Sequence, residues 1–507
     1  MHIDKDKSFD RIKKTFHCKA IYNTNFSLQH YLHKELVSLK PDIKILSNEE
    51  IRYIDRLSRD VLEKVGFICE DEEAISIFAD AGARIDGKTR VFLTEKIINE
   101  AIEASIPVVE LHGRCGRRSL HVGGDNLYFG TTGFATNYLD FESGEYRQST
   151  SKDVIDVMKL CDILDPPDYI LPSVGATDVE PEYADLYEFK AGMLYTSKHI
   201  EAQAKDLVNA RKIIKMAEYI AGGEENLKKT PFFSFLVTLT SPLHHRSDSM
   251  QLIIESARYG IPLFVESGPM AGATSPVTLA ETVAIANAEL LSSIVLAKLV
   301  KSSAPVIYAS WARVINMKNG NVSVGGPEFS MLRIATTQMG KHYNLPTGGG
   351  SNLSDSLALD HQLGAEQCAT SLLPALSGIN MAQGMGLLAG MNAVSAETLI
   401  LASEVANYVK RIKDGITVDM SSEGFDLINR VGPRGDFIST DHTLTHFRKE
   451  LWTRTIFDCS AVKGEKKHLD TNVINNAIAK KNKLMAKYKP IDVPVDAESA
   501  MEKIIRN

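Results

Sequence analysis

The hydrophobic positions along this chain change their period twice. After Ser47, which forms a capping box with Glu50, apolar residues fall at Ile51, Ile54, Leu57, Val61, Leu62 and Val65, the spacing of an amphipathic helix. Thr94 opens a second helix, Ile97 to Ala104. The segments then shorten and become β-rich: Val108–His112, Leu120–Val122 and, after the turn Gly123-Gly-Asp-Asn126, Leu127–Phe129. Asn137–Asp140 and Glu145–Arg147 flank Ser143-Gly144 and read as a hairpin.

From Thr150, which caps a helix Val154 to Leu164, strand and helix alternate. The strand candidates are Tyr169–Val174, His199–Ala204, Phe232–Val237, Pro262–Glu266, Pro305–Ser310, Leu345–Gly350 and Ile379–Gly384, with Leu127–Gly130 before the hairpin. Eight strands alternating with amphipathic segments predict an α/β fold, a (β/α)8 TIM barrel with an N-terminal helical extension and a β-hairpin insertion. An open doubly wound sheet is the alternative on pattern alone. The chain divides into an N-terminal helical region (1–105), a β-rich segment with the first barrel strand and the hairpin (106–150), the remainder of the barrel (151–415) and a C-terminal helical segment packing on it (416–507).

Composition narrows the function classes. The 507 residues carry 57 basic and 64 acidic side chains, a formal charge of −7, and no Lys/Arg block, which argues against a nucleic-acid binder. Residues 1–39 lack the apolar core of a signal peptide. Thr282–Val300 is apolar but interrupted by Asn287, Glu289 and Lys298, which suits a buried helix rather than a bilayer span. Cys18, Cys69, Cys115, Cys161, Cys368 and Cys459 are scattered without a C-x-x-C, as expected for reduced thiols in a cytoplasmic protein.

Several motifs fall short of a chemistry. Gly384-Met-Gly386-Leu-Leu-Ala-Gly390 misplaces the third glycine of a dinucleotide fingerprint. Gly348-Gly-Gly-Ser-Asn-Leu-Ser-Asp355 lacks the Lys of a P-loop; its glycines admit a ligand or simply a turn. His442 and His446 have the i, i+4 spacing of zinc hydrolases but neither the Glu after the first His nor a third ligand, so no metal site is expected. His244-His245-Arg246 is a candidate anion anchor.

Barrels place their chemistry at the C-terminal ends of the strands. Those ends supply Tyr128 and Phe129, Glu201 and Gln203, Thr240 and Ser241, Glu266 and Ser267, Tyr308 and Trp311, Asp355, and Gln383. Carboxylates with aromatic faces suit a cation that cannot donate a hydrogen bond, such as a quaternary ammonium, which each ring attracts by about 0.5–2 kcal/mol.

Taken in order, certain stretches resemble one family. They are Val61-Leu-Glu-Lys-Val-Gly66, Ala81-Gly-Ala-Arg-Ile-Asp86, Leu127-Tyr-Phe-Gly130 and Ser241-Pro-Leu243. Pro269-Met-Ala-Gly-Ala-Thr-Ser-Pro276, Asn287-Ala-Glu289 and Ala304-Pro-Val-Ile-Tyr308 follow. Ser354-Asp355 with Asp360-x-Gln362-x-Gly364-x-Glu366, Val431-Gly-Pro433 and His442-Thr-Leu-Thr-His-Phe447 complete the series. The chain is similar over 62–451 to the trimethylamine methyltransferase family of corrinoid-dependent barrel enzymes.

The resemblance implies methyl transfer from a methylated amine to the cobalt(I) of a corrinoid carried on a partner protein. With no pyrrolysine in the sequence, it points to relatives acting on glycine betaine and other quaternary amines. On that reading Tyr128, Phe129, Tyr308 and Trp311 are cage candidates. Glu201, Glu266 and Asp355 supply negative potential, Gln203 and Gln383 bind a head group, and Arg313 or His244 receives a substrate carboxylate. Two departures stand out: Leu357 replaces a common Lys, and Gln383-Gly384 replaces a common His-Gly. A non-catalytic quaternary-amine binding barrel and a metal-dependent barrel hydrolase are the alternatives.

Overall fold

The computed structural model describes residues 37–114, 118–133, 135–141, 143–419, 421–459 and 473–507. Cys18, Cys115 and most of the leader region considered above lie outside the described residues. Two compact units are present. In the smaller, Val37–Leu39 pairs antiparallel with Ile416–Val418, and the helix Glu423–Val431 follows. The larger unit, 40–415 with 436–507, contains a closed eight-stranded parallel barrel.

Numbering only the barrel strands, β1 is Tyr128–Gly130, β2 Tyr169–Ile170, β3 His199–Ala202 and β4 Phe233–Leu239. β5 is Leu263–Ser267, β6 Val306–Ser310, β7 Thr347–Gly350 and β8 Met381–Gln383, and β8 pairs with β1 to close the ring. Closure excludes the open sheet. All eight strand candidates are present, Ser47 forms the capping box expected of it, and Thr150 caps its helix, which starts at Ser151, through a capping box with Asp153.

Successive strand residues face opposite ways. Tyr169, Leu236, Phe264, Ile307, Ala309 and Met381 pack together in the lumen, whereas Phe235, Leu263, Val265 and Tyr308 pack on the helical shell. The lumen is sealed at its N-terminal end by the ribbon Val108–Leu111/Leu120–Gly123, whose Val109, Leu111, Leu120 and Val122 join the inner cluster. His199 ties ribbon to barrel: one ring nitrogen bonds the His112 carbonyl at 2.9 Å and the other Ser234 Oγ at 3.0 Å. Chemistry is therefore confined to the opposite end.

The glycines of β7 make room for rings rather than for a ligand. A Cβ at Gly348 would stand 2.4 Å from Phe264, and one at Gly350 would stand 2.5 Å from Phe329 and 2.9 Å from Trp311. The apolar helix Leu279–Val300 is long enough to cross a membrane, but its apolar window is 83% buried inside the protein. Two of the polar residues that interrupt it are engaged: Asn287 donates to Tyr343 Oη at 2.8 Å, and Lys298 donates to the Ala304 carbonyl at 2.8 Å.

Loops at the C-terminal end are joined in pairs. The hairpin Asn137–Asp140/Glu145–Gln148, after β1, extends into a four-stranded sheet with Leu387–Leu388 and Ala393–Val394, after β8. Met270–Ala271, after β5, pairs with Arg313–Ile315, which in turn pairs with Val322–Ser323, both after β6. The N-terminal region holds a feature its helical pattern did not announce: Phe67–Cys69, Arg84–Asp86 and Arg90–Phe92 form a sheet with His244–His245.

Candidate active site

Three inward residues at the strand ends form a hydrogen-bonded chain across the lumen. Trp311, just past β6, donates its indole N–H to Gln383 Oε1 at 3.2 Å, and Gln383 Nε2 donates to Glu201 on β3. Gln383 and Glu201 are fully buried and Trp311 nearly so. The other oxygen of Glu201 and the Tyr169 hydroxyl, also buried, have no hydrogen-bond partner among the described residues.

Burial holds the Glu201 carboxyl well above the usual range, and the Glu266 charge adds to the rise, against the Gln383 bond. Glu266 on β5 is half-buried and accepts from Thr238 Oγ1 of β4 at 2.7 Å. Burial pushes its carboxyl up to about 7, opposed by the Thr238 bond and the Arg313 and Arg333 guanidiniums. Two acids of unequal setting thus lie near each other, one of them linked to the indole through Gln383.

The lumen's handedness removes several expected residues from this cluster. Phe129 and Tyr308 point outward: Phe129 packs in the shell, and Tyr308 donates to Asn287 Oδ1 at 2.9 Å. Tyr128 stands at the sealed end, where its hydroxyl accepts the His121 N–H at 3.2 Å. His244 is paired with Glu70 at 2.7 Å on the N-terminal sheet. Asp355 pins the loop after β6, accepting Ser323 Oγ at 2.7 Å and Val324 N at 2.9 Å. Glu366 in turn accepts Ser354 Oγ at 2.7 Å and Asp355 N at 2.8 Å. Four groups expected at the cage or anchor, with Asp355, therefore have structural partners away from the Trp311–Gln383–Glu201 chain. The expected residues brought together are Glu201, Glu266, Trp311 and Gln383, with Gln203 and Arg313 nearby.

Sequence reasoning missed four groups. Thr238 was overlooked because β4 runs two residues longer than its pattern suggested. Phe329 stacks beside Trp311 with centroids 6.3 Å apart. Arg333, on the helix after β6, is fully buried with a bond to the Ala312 carbonyl at 2.5 Å. Glu289, on the buried helix Leu279–Val300, accepts Ser267 Oγ at 2.5 Å, Ser241 Oγ at 2.7 Å and Leu243 N at 2.8 Å, so it fixes the ends of β4 and β5. Helix residues reaching the barrel's end leave no strand-like signal.

Beside the chain, over β2–β4, opens a cavity of about 670 Å3 lined by Gln203, Leu236, Thr238 and Glu188 among others. Among the described residues no group of three or more His, Cys, Asp or Glu could hold a metal ion. His442 and His446 stack at 4.4 Å on a helix with no buried residue.

Residues 19–507 match the profile of the family described as trimethylamine methyltransferase (MTTB). Trimethylamine methyltransferase MttB of Desulfitobacterium hafniense is 34% identical over 411 residues, covering 81% of this chain and 83% of its own. Glycine betaine methyltransferase of the same species is 29% identical over 469 residues, covering 91% and 96%. The crystal structure of monomethylamine methyltransferase from Methanosarcina barkeri aligns over 87% of this chain and 89% of its own, with a TM-score of 0.50 at 14% identity, a likeness of fold alone. By the profile match and the extent of these identities, the chain belongs to the trimethylamine methyltransferase family.

Proposed function

We propose that the protein transfers a methyl group from a quaternary amine to the corrinoid of a partner protein. The observation that carries this reading is the buried chain from Trp311 through Gln383 to Glu201, with Glu266 close enough for its charge to act on Glu201. An indole face attracts a permanent cation without needing a hydrogen bond from it. Glu266 adds negative potential as its carboxyl ionises through about 7, while burial holds Glu201 toward its neutral form.

The corrinoid's cobalt(I) supplies the nucleophile. The mouth fits an acceptor delivered from outside, because its converging groups are an indole, an amide and carboxyls rather than thiols or imidazoles that would hold cobalt. As the methyl leaves, the carbon–nitrogen electron pair stays on nitrogen and the product is a neutral tertiary amine. No proton has to be delivered, so the raised acids need not act as general acids. Their work, with Gln383 and Trp311, is to orient the cation and exclude water.

The test is to supply cob(I)alamin with betaines, choline and carnitine and to follow methylcobalamin by its absorbance. Methylcobalamin with at least one of them is expected. None with any of them, from folded protein, overturns the proposal.

A further inference from the structure

The cavity over β2–β4 contains a buried acid that the chemistry above does not use. Glu188 lies on the helix Ala184–Tyr195, which follows β2, and is 4% exposed. A single hydrogen bond reaches it among the described residues, from Ala176 N to Oε1 at 3.1 Å. Its side chain lines the cavity, so the second oxygen is left for an occupant.

The other acids on that wall are engaged. Asp185 accepts Lys205 N at 2.8 Å, Leu186 N at 3.0 Å and Asn209 Nδ2 at 2.9 Å. Asp248 pairs with Arg246 at 3.2 Å. The cations that line it, Arg246 and Lys205, are exposed, and Arg246 is already paired with Asp248. Leu236 and Leu252 give apolar walls, and the cavity's volume falls within the roughly 300–1,000 Å3 of small-molecule sites. Thr238 lines the cavity and also bonds Glu266, so the space opens beside the reacting end.

We infer that this cavity receives the substrate's non-reacting part, and that Glu188 selects a quaternary amine with a hydroxyl tail over one with a carboxylate. The inference rests on the proposed methyl transfer and names its substrate class. Once Glu188 is ionised, a substrate carboxylate beside it is repelled. A permanent cation is attracted by the same ionised group, and a hydroxyl can donate to its free oxygen or bond the Gln203 amide. Burial pushes the Glu188 carboxyl up to about 8 against the Ala176 bond, with the Asp185 charge adding to the rise, so the preference strengthens as pH rises through that value.

Calorimetry on the full chain at about pH 9, where Glu188 is ionised, decides it, comparing choline with glycine betaine on the wild type, Glu188→Gln and Gln203→Leu. Choline is expected to bind at least about tenfold more tightly than glycine betaine, and Glu188→Gln to narrow that ratio at least about fivefold. Equal or reversed affinities in the wild type, or a ratio that neither substitution moves, overturn the inference. Circular dichroism reports folding; should Glu188→Gln not fold, the wild-type ratio and Gln203→Leu decide. Choline binding as expected with no methylcobalamin from any amine would sink the methyl-transfer reading and leave the selectivity standing. Turnover of glycine betaine with tighter binding than choline would do the reverse.

Discussion

Trp311 and Gln383 are 72 residues apart in sequence, yet the indole N–H of one meets the amide oxygen of the other at 3.2 Å in the barrel's open end. Gln383 passes the contact on to Glu201, so one amide orients both an aromatic face and an acid. Replacing it by Leu leaves a buried indole N–H and a buried carboxyl without their partner, a loss of about 1–3 kcal/mol for each stranded group. Gln383→Leu is expected to lower kcat/KM by about tenfold or more and to lower Tm. Methylcobalamin formation and thermal unfolding check both. Unchanged kcat/KM would remove Gln383 from the site.

Trp311 separates the ring from the hydrogen bond. Trp311→Phe keeps an aromatic face and loses the donor, whereas Trp311→Leu loses both. With about 0.5–2 kcal/mol from the face, KM for the amine is expected to rise roughly 2–30-fold in Trp311→Leu and less in Trp311→Phe. Equal KM values for the two variants would show that the face does not bind the cation.

Glu266 predicts opposite pH trends for binding and stability. Burial pushes its carboxyl up to about 7, while in the unfolded chain it titrates near the ordinary value of 4.5. Stability from this group is fully present below 4.5 and falls as pH rises through about 7, because only the unfolded state has already ionised. Affinity for a permanent cation rises over the same upper range, as the folded carboxyl gains its charge. Glu266→Gln should flatten both curves, read by denaturant unfolding between pH 5 and 8 and by calorimetry with the amine. A wild-type stability that climbs through that interval by the amount Glu266→Gln removes would contradict the assignment.

Tyr308 provides the contrast. Its hydroxyl bonds Asn287 behind the barrel wall. Tyr308→Phe is expected to cost about 1–3 kcal/mol of stability through the stranded amide, with kcat/KM within about twofold of wild type. A large fall in kcat/KM at unchanged stability would return Tyr308 to the cage.

Asp355 is expected to act on its loop. Asp355→Ala removes the acceptor of Ser323 and of Val324 N, so limited proteolysis should cut faster between residues 316 and 324. Asp355→Asn keeps an acceptor for Val324 and should restore much of the protection. Equal cleavage of all three proteins would mean the loop is held by other contacts.

The strands were legible because the apolar runs are bounded by turn signals and followed by helical segments, as in Pro262–Glu266 before the buried helix Thr282–Val300. Strand parity was not legible from the ends alone. Tyr308 and Trp311 both lie at the end of β6, but the odd-numbered residues Ile307 and Ala309 face the lumen and Tyr308 faces the shell. Asp355 shows the same limit from another side: its partners Ser323 and Val324 are set by loop geometry that no periodicity encodes. Glu188 was invisible because its helix is buried on nearly every side, so a buried acid there leaves no gap in an amphipathic pattern.

A ring of parallel strands has near-rotational symmetry, and a partner approaching it end-on would have no preferred bearing. The two small sheets abolish that equivalence. One bridges the segments after β1 and β8 and the other those after β5 and β6, while the arc over β2–β4 is left hollow. The open end therefore has a compass: with two braced shoulders and one recess its bearings are no longer equivalent, so on the proposed reading a partner seated there would meet one particular side of the amine.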